Sequence, residues 1–151
     1  MPSPFLFHPL AVHLALSLGL FSAAAEGLPP IKKRLSPRFR RRSLGVTLLF
    51  LALALITGAL SLSAIQGRHI PLPLMAPIHG WIALIGTILF LLLWLPAKGG
   101  GERQPGTLPP RQIIAGAGLL ALLVAATLGG HLVYDVRLGT SFMSGETLPL
   151  P

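Results

Sequence analysis

An all-α integral membrane fold, an antiparallel four-helix bundle with both termini outside, is what this chain predicts, and three observations predict it. Four apolar runs occupy most of the 151 residues, each close to the ~20 residues a helix needs to cross a bilayer core. Charged residues make up 11% against 52% hydrophobic, and the mean hydropathy is +0.74, whereas a soluble domain carries about 25% charged residues. None of the runs alternates like a barrel strand, so each must satisfy its backbone hydrogen bonds internally, as a helix. A length near 150 fits one domain. Residues 1–151 are therefore read as a single membrane domain, with no room for a separate soluble catalytic domain.

The first helix is expected from Pro9 to about Leu28. Pro9 suits a first helical position, where its missing N–H costs nothing. Ala23-Ala24-Ala25 resembles a signal-peptide cleavage site, but a signal peptide carries positive charge before its apolar core. Residues 1–25 carry none and the charge follows, so a retained span is expected. A basic, proline-broken linker covers residues 29–43. The second helix is expected from Leu44 to about Ile65. The loop from Gln66 to Ala76 holds Arg68, His69, Pro71 and Pro73, and its prolines forbid regular helix. The third helix runs from Pro77 to Leu95. The Gly/Pro-rich linker of residues 96–111 reads as mobile. The fourth helix runs from Gln112 to about Tyr134, and a polar tail closes the chain at residues 135–151.

The net charge of +8 does not point to nucleic acid, because seven of the twelve Lys and Arg residues fall between Lys32 and Arg42, between two apolar runs. That placement fits the positive-inside rule and anionic headgroups. The last linker carries Lys98, Arg103 and Arg111 against Glu102, while the middle loop has only Arg68 and the tail Arg137 with Asp135 and Glu146. Linkers one and three therefore face the cytoplasm. Trp81, Trp94 and Tyr134 fall near the helix ends and read as interfacial anchors. Small residues recur every four positions at Ala11, Ala15, Gly19 and Ala23, and again at Ala117, Ala121, Ala125 and Gly129. Such ridges let backbones approach closely, so the first and fourth spans are expected to meet, or one of them to meet a partner subunit.

All five histidines, His8, His13, His69, His79 and His131, lie toward the outer side of this topology. At 1.5 Å per residue, His13 sits roughly 6 Å below the start of its helix, His79 roughly 3 Å, and His131 roughly 4–5 Å from its helix end. Three helices thus present imidazole at one level. Imidazole is a good ligand for iron, copper or zinc, and intramembrane ionisable residues point to function. A b-type heme held by His13 and His79 is the sharper expectation, with His131 as substitute or propionate partner and His8 as a fourth candidate. Singly, each histidine is more often structural. His8 before Pro9 has the look of a helix-start device, and His69 in its loop reads as solvated. Ser17 and Thr127 stand one turn from His13 and His131, where they either orient an imidazole or bond their own backbone.

His8-Pro9-Leu10-Ala11-Val12-His13, together with Thr57-Gly58, Ile78-His79-Gly80 and the closing Gly129-Gly130-His131-Leu132-Val133-Tyr134, resembles the pattern of a bacterial membrane-protein family known as domain of unknown function 2231. The resemblance covers nearly the whole chain. It implies a four-helix membrane domain, sometimes found near redox proteins such as Rieske-type domains.

Other chemistry is excluded by composition. Without cysteine there is no disulfide, iron–sulfur ligation, c-type heme attachment or thiol catalysis. The four acids, Glu26, Glu102, Asp135 and Glu146, form no pair for acid–base work and no chain across the bilayer, which counts against a pump or transporter. No phosphate loop, dinucleotide fingerprint or zinc-protease motif occurs. Two readings remain. One is an inner-membrane protein, not an enzyme by itself, that binds heme near the outer face and exchanges electrons with membrane or periplasmic redox subunits. The other is a cofactor-free accessory subunit of a larger respiratory or photosynthetic complex.

Overall fold

A computed structural model describes residues 4–67, 72–95 and 110–134, and these are helical apart from short caps and bends, with no strand among them. The order is α1 (Pro4–Gly27), α2 (Pro29–Arg34), α3 (Pro37–Gln66), α4 (Met75–Trp94) and α5 (Pro110–Tyr134). Four of these, all but the six-residue α2, are long and apolar enough to cross a membrane. The chain is a multi-pass, all-α membrane protein built as a four-helix bundle. Leucines and isoleucines on the outer surfaces, such as Leu49, Ile85 and Leu120, are exposed, as lipid-facing residues must be.

Helices α4 and α5 start two residues before expectation, at Met75 and Pro110, Pro29–Arg34 of the expected linker is helical, and two starts differ by more. Helix α1 starts at Pro4, so Pro9 lies inside the helix rather than at its first position. Helix α3 starts at Pro37 rather than Leu44, which carries the last four arginines of the basic block onto its first two turns. The reason is local. Ser36 caps the helix by accepting from the Phe39 N–H at 3.2 Å, and Pro37 presets the first helical φ. Thirty residues of helix extend about 45 Å, beyond a hydrocarbon core of about 30 Å. The basic turns therefore project into the headgroup zone. The loop residues 68–71, which include His69, the linker of residues 96–109 and the tail of residues 135–151 lie outside the described residues.

Helix α1 packs most extensively on α3, and α4 on α5. The two hairpins meet through α1 and α5, with a thinner seam between α3 and α4. The expected approach of the first and last spans is thus present. The ridge on α1 is buried throughout. On α5 the buried row is Ala115, Gly118, Leu122 and Ala125, and Ala117 of the expected ridge is exposed. The bundle is closed by Phe90, which is wholly buried. A Cβ on Gly118 would stand 3.2 Å from its ring, so the glycine is what lets α4 and α5 close around it.

The hairpins repeat each other. Buried Ala15, Gly19 and Ser22 of α1 correspond, 71 positions later, to buried Gly86, Phe90 and Leu93 of α4. Likewise Leu44, Thr47, Leu51 and Ala54 of α3 correspond to Ala115, Gly118, Leu122 and Ala125 of α5 at the same offset. One burial pattern is used twice, in helices running in the same order. This places His8 and His79, also 71 apart, at matching positions.

Candidate functional site

The two matching histidines converge. The rings of His8 and His79 have centroids 6.4 Å apart and planes at 87°. Each is fixed by the partner helix of its own hairpin. His8 Nδ1–H donates to the Ala54 carbonyl oxygen at 3.0 Å, with Thr57 Oγ1 3.1 Å from the same nitrogen. His79 Nδ1–H donates to the Ala125 carbonyl oxygen at 2.8 Å. A carbonyl only accepts, so Nδ1 carries the proton and each Nε2 keeps its lone pair. The helix in front of each ring is stripped to glycine. A Cβ on Gly58 would lie 3.0 Å from His8 Cε1, and one on Gly129 would lie 3.0 Å from His79 Cε1.

Both rings face an apolar cavity of about 730 Å³ that reaches between the hairpins on the α3–α4 side, where packing is thinnest. Its walls include Ala54, Gly58, Trp81, Ala125 and Gly129. That volume lies within the range of small-molecule and cofactor sites, which are mostly apolar with a few fixed polar groups. With metal–nitrogen bonds of about 2.0–2.1 Å and ring nitrogens ~1.1 Å from the centroid, two imidazoles on opposite sides of one metal have centroids ~6.3 Å apart. The observed centroid separation of 6.4 Å is close to that figure.

His13 is not part of the pair, which corrects the expected partnership of His13 with His79. It is exposed on the outer face of α1, and its Nδ1–H donates to the Pro9 carbonyl at 2.7 Å within its own helix. The packing phase of α1 explains the exchange: its buried row is Ala11, Ala15, Gly19 and Ala23, and five positions are about 140° of rotation, so only one of the two faces inward. His131 is half-buried in the last turn of α5 and is not among the residues lining the cavity. Thr127 donates to the Leu123 carbonyl at 3.0 Å, the backbone alternative for that hydroxyl. Trp81, expected as an anchor, is exposed and also borders the cavity.

At the opposite end, Glu26 is buried and meets three cations. Arg40 Nη1 donates to its Oε1 at 3.1 Å, Arg111 Nε to its Oε2 at 3.4 Å, and Lys32 Nζ lies 3.8 Å from Oε2. Arg40 and Arg111 are again 71 positions apart, so both repeats send an arginine to one carboxylate. Arg111 also donates to the carbonyls of Leu93 and Leu95 at the end of α4, where a cation suits the helix dipole. Sequence reasoning passed over this cluster because Arg111 is 85 residues from Glu26 and joins it only through the fold.

No family model, no curated protein and no solved structure matches the chain. The ligand count is the remaining guide to chemistry. Among the described residues no group of three or more His, Asp or Glu converges as a metal site. A closed structural zinc site takes four protein ligands and a catalytic one three, whereas a porphyrin supplies four of its own and leaves two axial positions.

Proposed function

We propose that this protein is a b-type heme protein of a bacterial inner membrane, with His8 and His79 as the axial ligands and electron transfer as its role. The observation that carries the reading is the His8–His79 pair: centroids 6.4 Å apart, each Nδ1 tied to a carbonyl, beside an apolar cavity. The Nδ1–H bonds fix the orientation of each imidazole and would raise the basicity of its Nε2 as a ligand. Gly58 and Gly129 leave room for the rings, and the apolar walls would exclude water from a heme held there. Heme would supply one-electron exchange between ferric and ferrous iron. The basic end, read by the positive-inside rule, faces the cytoplasm, so the histidine end faces outward, toward a periplasmic or membrane redox partner.

A reduced-minus-oxidised spectrum of the detergent-purified protein, from cells supplied with heme, tests this directly. A sharp Soret band and the α-band of six-coordinate b heme are expected. A featureless spectrum would sink the proposal.

One observation favours a second reading. The same two hydrogen bonds each staple a hairpin, α1 to α3 and α4 to α5, which a cofactor-free accessory subunit would also need. In that case the protein is colourless, and substitution of either histidine loosens the bundle without a spectral change.

A further inference from the structure

The end of the bundle opposite the histidines carries a second cavity, of about 310 Å³, which the heme reading does not use. Lys32, Arg40, Arg41 and Arg111 line it with Glu26 and Trp94. Four cations thus face one carboxylate, and Glu26 is the one acid among the described residues. Among the described residues three positive charges remain uncompensated in a partly enclosed space.

The hydrogen-bond inventory shows which donors are spare. Arg111 is committed, with Nε on Glu26 and both terminal nitrogens on the α4 carbonyls. Arg40 gives only Nη1 to Glu26. Its Nε is buried without a partner, a costly state for a charged donor. Arg41 holds its guanidinium over the Trp94 ring, 5.3 Å from the centroid, which leaves its N–H edges open. Lys32 reaches Glu26 only loosely, at 3.8 Å. The spare donors are a guanidinium edge on Arg40, another on Arg41 and an ammonium on Lys32. A guanidinium edge matches two oxygens of a phosphate in fork geometry.

We infer that this cavity is a binding site for a phosphate group, held by Arg40, Arg41 and Lys32 against the Glu26 brace. Anionic phospholipid headgroups and soluble phosphate share that chemistry, whereas phosphatidylcholine carries beside its phosphate a choline cation that the surplus positive charge repels. Position favours the headgroup, since basic pockets between transmembrane helices on the cytoplasmic side suit anionic lipids and Trp94 is a residue type that marks the headgroup level.

The test uses the full chain in a neutral detergent. Thermal unfolding is followed on adding phosphatidylglycerol, phosphatidylcholine, or inorganic phosphate at an ionic strength matched with chloride, and native mass spectrometry counts retained lipids. One phosphatidylglycerol per chain and a raised Tm, with no such effect from phosphatidylcholine, is the expected result. A rise with inorganic phosphate as well assigns the site to phosphate in general. Arg41→Gln, which leaves every Glu26 contact in place, should weaken the effect by about fivefold for the loss of one cationic contact. Arg40→Gln should weaken it further. Equal shifts with phosphatidylglycerol and phosphatidylcholine, no shift with any addition, or an unchanged response in Arg41→Gln would overturn the inference. Neither substitution touches the histidine end, so heme content should be unchanged and the two ends of the molecule are tested separately.

Discussion

His8 and His79 stand 71 residues apart in sequence and 6.4 Å apart between ring centroids, and each donates Nδ1–H to the carbonyl of an alanine 46 positions further along its own hairpin. The bond, the alanine and the facing glycine are the same in both halves: Ala54 and Gly58 in one, Ala125 and Gly129 in the other. Two copies of a helical hairpin, brought together, thus create a central pair that neither copy holds alone. A ligand that accepts the same donor from both sides is the chemistry such a pair is suited to.

The ligand assignment predicts a specific pattern of substitutions. His8→Ala and His79→Ala each remove one axial position and should reduce heme retained on purification to near zero. His13→Ala should leave it unchanged, because that ring faces outward. The heme-to-protein ratio, from a pyridine hemochrome assay, reads all three. Loss of heme in His13→Ala with retention in His8→Ala would reverse the assignment.

The glycines facing the rings should matter nearly as much. A methyl at Gly58 or Gly129 would stand 3.0 Å from the histidine Cε1, closer than real side chains settle, so the ring must move by a few tenths of an ångström. Groups that orient a ligand typically cost about 10–100-fold in metal affinity when disturbed, and about tenfold is expected for Gly58→Ala and for Gly129→Ala. Heme titration of apoprotein measures it. Comparable effects at the two positions are expected from the repeat.

Much of this fold was legible in the sequence, and the exceptions have physical causes. Four spans and the basic face follow from apolar run length and the charge between Lys32 and Arg42. The starts of α1 and α3 fall before the expected ones, at Pro4 and Pro37, because proline reads as a boundary or a breaker, whereas Pro9 lies inside its helix. The packing phase of α1 decides which histidine faces inward: its buried row of Ala11, Ala15 and Gly19 leaves His13 exposed and turns His8 to the Ala54 carbonyl of α3. The repeat was visible in principle, since Gly58 and Gly129 follow Ala54 and Ala125 at the same spacing. Low-complexity runs of Leu and Ala hide such an offset, because chance identities are frequent in them.

The buried hydroxyl cluster between α1 and α3 should contribute less than its geometry suggests. Thr47 is wholly buried, and its hydroxyl lies 2.8 Å from Ser22 Oγ, 3.2 Å from the Leu18 carbonyl and 2.9 Å from the Ser43 carbonyl. Ser22 also bonds Ser43 at 2.8 Å, so Thr47→Val leaves it partnered. Interhelical hydrogen bonds in membranes average about 0.6 kcal/mol and reach about 1.7. A loss near 1 kcal/mol is expected for Thr47→Val in reversible unfolding from mixed micelles, and one above about 3 kcal/mol, the scale of a core cavity, would show that the hydroxyls act as a network.

Glu26 should prove the most sensitive single polar position. Glu26→Gln removes the one negative charge from among Lys32, Arg40 and Arg111. Breaking a fully buried ion pair costs about 3–5 kcal/mol. Lys32 and Arg111 keep close to a third of their side chains exposed, so solvent screens part of the repulsion and about 2 kcal/mol is expected. The sign of a second effect follows from the same charges. The cavity of the variant faces four uncompensated cations instead of three, so phosphatidylglycerol should raise its Tm by more than it raises that of the unaltered protein. Phosphatidylcholine should rescue neither. A variant as stable as the parent in neutral detergent would mean that Glu26 does not brace the cluster, and a response to phosphatidylglycerol no larger than the parent's would mean that the carboxylate does not compete with the phosphate.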